Sequence, residues 1–90
     1  MRIIRWTAQA AGQFEAAVQY IQRDNRDAGR SLARTIIDRI DGLAKAPGVG
    51  RPGEVNGTRE LVVSPYVIVY RHTDEIVEVL SIWHGAQDWR

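Results

Sequence analysis

Hydrophobic positions in this chain change period once, and the change divides it into two halves. Between about Ala8 and Arg23 the apolar residues Phe14, Ala17, Val18 and Ile21 recur at helical spacing. Asp24-Asn25-Arg26-Asp27 interrupts them with residues that favour caps and turns. A second helical stripe follows from Arg26 or Asp27 to Lys45: Leu32, Ile36, Ile40 and Leu43, with Ala33 and Ile37 beside it. Lys45 suits the negative pole of that helix, and Pro47-Gly48 stops it. Two helices joined by so short a link predict an antiparallel hairpin. Ahead of them Arg2–Trp6 reads as a short edge strand, and Thr7 as an N-cap.

Beyond Gly57 the pattern is that of strands. Thr58–Val63, Tyr66–Arg71 and Glu75–His84 are apolar runs separated by Ser64-Pro65 and by His72-Thr73-Asp74. Short links between successive strands force an antiparallel meander. In the last run Ile76, Leu80 and Ile82 share a side with Glu78, while Val77, Val79 and Trp83 share a side with Ser81. Both sides are thus partly apolar, and the pattern leaves the core-facing side open. Ala46–Gly57, between the halves, holds four of the eight glycines and two of the three prolines. It reads as a long irregular loop, either a plain connector or a functional segment. The expected architecture is α+β, in the order β-α-α-β-β-β, with the helical hairpin packed on a small antiparallel-rich sheet.

Ninety residues fit one domain, expected to span 1–90, with one core that buries roughly 60–65% of the unfolded surface. Without cysteine the chain has neither a disulfide nor a thiolate metal site. No signal-like start is visible, and the longest strongly apolar run is Tyr66–Tyr70, so a cytoplasmic location is expected. Residues 1–46 carry eight basic and five acidic side chains, and residues 47–90 four and six, which gives +3 and −2. The net charge of +1 is low for a non-specific nucleic-acid binder.

Arg26, Arg30 and Arg34 recur every four residues and line one helix face, with Asp38 continuing the row. They read either as a salt-bridged solvated face, with Arg34 paired to Asp38, or as a contact for an acidic partner or a nucleic-acid backbone. Two histidines, His72 and His84, fall short of a metal centre, and no nucleotide-binding fingerprint or nucleophile elbow is present. No cofactor is expected. Arg51, Glu54, Arg59, Arg71 and His84 remain. Metal-free RNA cleavage needs a base for the 2′-hydroxyl, a cation for the phosphate and an acid for the leaving oxygen. Glu54 or His84 has the chemistry of the base, His84 also that of the acid, and Arg59 and Arg71 present forks that fit phosphate. Alternatively the arginines pair with Glu60, Glu75 or Glu78 across strands, and His84 caps the sheet.

Gly50-Arg-Pro-Gly-Glu54, Gly57-Thr-Arg-Glu-Leu61, Tyr66-Val-Ile-Val-Tyr70 and Ile82-Trp-His-Gly-Ala86 together resemble the RelE/ParE superfamily, the toxins of type II toxin–antitoxin modules. The resemblance covers nearly the whole chain and includes the element order. It implies a toxin held inactive by a cognate antitoxin. RelE-like members cleave mRNA, commonly on the ribosome; ParE-like members inhibit DNA gyrase and have no known hydrolytic residues. By resemblance to the first branch, Glu54 is a general base, although Gly53 separates it from Pro52. Arg59 is then a phosphate binder that takes part in catalysis, and His84 the acid or base. Arg51 and Arg71 are further phosphate contacts, and Trp83 or Trp89 is the aromatic partner. Arg59 and His84 favour a metal-independent mRNA endoribonuclease, provided that they converge on one open pocket. Gyrase inhibition is the alternative, and a toxin-derived interaction module is the third reading. Arg26, Arg30 and Arg34 are candidate antitoxin contacts.

Overall fold

A computed structural model describes residues 1–85 of the chain. Strand β1 (Ile3–Trp6) passes directly into helix α1 (Ala8–Asp24). Thr7 makes that switch. Its backbone is extended, and its hydroxyl accepts the Ala10 N–H at 3.1 Å while donating to the Leu80 carbonyl at 3.0 Å. Asn25 alone separates α1 from helix α2 (Arg26–Gly42). Its N–H donates to the Ile21 carbonyl, and its side-chain oxygen accepts the Ala28 N–H at 3.0 Å. Gly29 lets the two helices touch: a Cβ there would lie 2.3 Å from Gln22 Cγ and 3.1 Å from the Val18 carbonyl.

Helix α2 stops at Gly42, three residues before the expected Lys45. Leu43 and Ala44 continue as a tight turn, their N–H groups reaching the Ile40 and Asp41 carbonyls. That turn keeps both residues buried. The segment 46–57 is less irregular than its glycines suggest. Pro47–Val49 forms one 3₁₀ turn, and Arg51–Pro52 forms a two-residue edge strand, β2. A tight hairpin then closes through the Gly53 N–H and Thr58 carbonyl at 2.8 Å, with Gly57 at φ +87°.

Strands β3 (Arg59–Val63), β4 (Tyr66–His72) and β5 (Ile76–His84) form the meander. The sheet order is β1-β5-β4-β3-β2. β1 is indeed an edge, but it pairs with β5 in parallel, a pairing the strand pattern did not indicate. The helical hairpin supplies the crossover that a parallel pair requires.

Register explains the two-sided last strand. Tyr66 lies opposite His84 and Val69 opposite Ser81, but Tyr70 lies opposite Val79. Leu80 is therefore an extra residue, a bulge that switches the alternation. Val77 and Val79 face the helices before it, Ile82 and His84 after it. Val77, Val79 and Ile82, with Leu61, Val63, Tyr66, Ile68 and Tyr70, meet Ala10, Ile36, Ile40 and Leu43 in one core. No helix among the described residues is long and apolar enough to cross a membrane.

Candidate functional site

Arg59 opens β3 on the helix-facing side, opposite Tyr70. Its guanidinium donates to the Gly50 carbonyl at 2.7 Å and the Gly48 carbonyl at 3.3 Å. Tyr70 works on the same turn from beneath. Its fully buried hydroxyl accepts the Gly50 N–H at 3.0 Å and donates to the Pro47 carbonyl at 2.5 Å. Gly50 is required there: a Cβ would stand 2.5 Å from that hydroxyl and 2.9 Å from the Glu60 carbonyl. Burial pushes the Tyr70 phenol above its ordinary pKa, while the Gly50 N–H and the Arg59 charge pull part of the way back. Arg59 and Tyr70 thus clamp residues 47–50 onto the sheet.

His84 ends β5 at the opposite end of the same face. Its ring meets Tyr66 edge-on, with centroids 5.3 Å apart and planes at 74°. Both line a cavity of about 500 Å³ with Tyr20, Gln13, Ala16 and Ala17 of α1. β1 ends opposite Val79, so β5 runs on with β4 on one side and no strand on the other. Gln13 covers part of that gap, its side-chain oxygen accepting the Ile82 N–H at 2.8 Å. Burial raises the Tyr66 pKa, and nearby Tyr20 raises it further. The cavity thereby gathers two phenols, an imidazole and a carboxamide.

The five sequence candidates do not assemble into one site. Arg59 pairs with Tyr70 and His84 with Tyr66, on strands that flank β4. Four residues along a strand and two strand spacings put their Cα atoms about 16 Å apart. Convergence of Arg59 and His84 is thus not met. Arg51 and Arg71 lie on the other face of the sheet, each ion-paired across strands: Arg51 with Glu60 at 2.9 Å and Arg71 with Glu78 at 2.8 Å. That is the cross-strand pairing named as the alternative from sequence. Glu54 is exposed in the hairpin between β2 and β3. Trp83, opposite Val67, lines the same cavity as His84, and Trp89 falls outside the described residues.

On α2 the Arg34–Asp38 pair is not formed. Arg26, Arg30 and Arg34 are exposed, and among the described residues the ion pairs are those of Arg51 and Arg71. No three His, Cys, Asp or Glu side chains among the described residues gather closely enough for a metal ion. Sequence reasoning passed over Tyr20, Gln13 and both strand tyrosines. Tyr66 and Tyr70 carried a usable signal, since a spacing of four in a strand puts both on one face.

The fold and these geometries can now be set beside known proteins. The family model for the ParE toxin of the type II toxin–antitoxin system, parDE, matches residues 4–89. The chain belongs to the ParE toxin family. Y4kP of Sinorhizobium fredii is 40% identical over 88 residues, spanning 96% of this chain and 91% of that protein. Toxin RelE2 of Caulobacter vibrioides is 31% identical over 87 residues, spanning 97% and 99%. Among solved structures, a chain of the chromosomal ParDE toxin–antitoxin system from P. aeruginosa superposes with a TM-score of 0.84 at 24% identity, covering 93% of this chain and 96% of that one. That likeness concerns the ParE fold: two helices on a five-stranded mixed sheet.

Proposed function

We propose that this ParE-family toxin arrests growth by binding DNA gyrase rather than by cutting RNA, and that a cognate antitoxin neutralises it. One observation carries the choice: Arg59 is bonded to two loop carbonyls at the far end of the face from His84. General acid–base catalysis needs each group within hydrogen-bond reach, about 3 Å, of the atom it serves, and in RNA cleavage those atoms surround one phosphate. A phosphate gripped at Arg59 would lie well beyond the reach of His84. The match to the ParE family supports the same reading. For the antitoxin, the exposed arginines of α2 offer a row of cations that form no ion pair among the described residues.

Purified toxin tested in parallel for inhibition of gyrase supercoiling and for mRNA cleavage, with and without ribosomes, decides between the two activities. Blocked supercoiling with intact message is expected, and His84→Ala should keep its toxicity within a few-fold. Cut message, together with loss of toxicity in His84→Ala, would overturn the proposal in favour of the ribonuclease.

A further inference from the structure

The sheet face turned away from the helices carries a row of charges, one from each strand. In sheet order these are Arg5, Glu78, Arg71, Glu60 and Arg51. Arg5 lies opposite Glu78, Glu78 opposite Arg71, and Glu60 opposite Arg51. Glu60 is also opposite Val69, two residues from Arg71, which makes Glu60 and Arg71 diagonal neighbours. The signs alternate across the whole sheet, beginning and ending on a cation.

The two signs differ in height. The Glu60 side chain is 5% exposed and that of Glu78 26%, against 54% for Arg51 and 63% for Arg71. Arg5 is exposed as well. Arg51 and Arg71 each give Nε and one terminal nitrogen to a single carboxylate oxygen, at 2.8 to 2.9 Å. A guanidinium has five N–H bonds in a rigid plane, so its other terminal nitrogen remains available in a fixed direction. The carboxylates thus orient the arginines, and the arginines are what a partner meets. They stand two strands apart, at intervals of about 10 Å. Val62, 42% exposed, and Ile3, 65% exposed, flank the row on the same face.

Resting on the binding mode of action above, we infer that this row docks an acidic segment of the target protein. The outward cations select an anionic partner. The carboxylates between them, the net charge of +1 and the flanking apolar side chains favour a protein over a phosphate backbone. The α2 arginines lie in the helical layer on the other side of the sheet. Antitoxin and target therefore engage different arginines, and a substitution can separate the two affinities.

Two variants remove cations without stranding a carboxylate: Arg5→Gln, and Arg71→Gln combined with Glu78→Gln. Each is measured for thermal midpoint, affinity for the antitoxin, affinity for purified gyrase at low and high salt, binding to single-stranded RNA, and growth arrest in cells lacking the antitoxin. The expected result is unchanged antitoxin affinity, with gyrase affinity and toxicity each reduced about tenfold. Wild-type gyrase binding should weaken as salt rises. Should the double variant fold poorly, Arg5→Glu reverses a charge at an exposed position and carries the same test. Full toxicity in the variants, a parallel loss of antitoxin affinity, or loss of binding to single-stranded RNA alone would each overturn the inference. If wild-type toxin does not bind gyrase while the variants lose toxicity, the docking row stands and the gyrase reading falls.

Discussion

The guanidinium of Arg59 meets two carbonyls of the turn at residues 48 and 50, and this gives the residue a structural task. Arg59→Ala removes the donor for the Gly48 and Gly50 carbonyls, and with it one half of the clamp on residues 47–50. Hydrogen bonds from charged groups contribute about 1.5–3 kcal/mol; for a partly exposed site a loss of about 1–2 kcal/mol is expected. Urea unfolding should show an earlier midpoint, and the Gly50 amide should exchange faster. An unchanged midpoint would mean that Tyr70 holds the turn alone. Tyr70 and Tyr66 set an alkaline limit. Both keep their protons more tightly when folded, so above about pH 10 the unfolded chain releases protons first and stability falls as pH rises. Tyr70→Phe should flatten that fall above about pH 10, read as the slope of unfolding free energy against pH. A slope equal to wild type would argue against the assignment. At this scale the sequence displayed the polar side chains but not their partners. Arg59 and His84 were visible at strand ends, whereas the carbonyls that occupy Arg59 come from a turn nine to eleven residues earlier.

Elements were legible where local chemistry decides them. Thr7, Asn25 and Pro47 mark α1, the break between helices and the stop after α2, all within a few residues of their place in the structure. Thr7→Ala should cost about 1–2 kcal/mol, because the hydroxyl both caps α1 and bonds to Leu80 of β5. Thr7→Ser should restore most of the loss in a thermal melt. If serine and alanine behave alike, the cap is not what stabilises the junction. Two features were hidden because they are not local. The parallel partner of β1 lies more than seventy residues away in β5. The bulge at Leu80 exists only in relation to β4, so a period-two reading of β5 met two half-apolar faces and could not choose.

For the whole molecule, charge is partitioned by layer. The helical layer presents Arg26, Arg30 and Arg34 without ion pairs among the described residues, while the open sheet face presents arginines set on glutamates. Arg30→Gln with Arg34→Gln should weaken antitoxin binding several-fold, since exposed ion pairs contribute up to about 1 kcal/mol each. Calorimetry at two salt concentrations checks this, and an affinity equal to wild type would move the antitoxin off α2. The layered architecture itself followed from counting helical and strand periods. The separation of the candidate residues over two faces and two ends did not, because residue spacing along a chain carries no register between strands.

The strand at the heart of the sheet, between β1 and β4, is the last described element to leave the ribosome. Until residues 76–84 have been translated, β1 has no sheet neighbour and α1 has little besides α2 to pack on. A message cut short ahead of this segment would yield an unfolded chain, open to proteases, in place of a weakened poison.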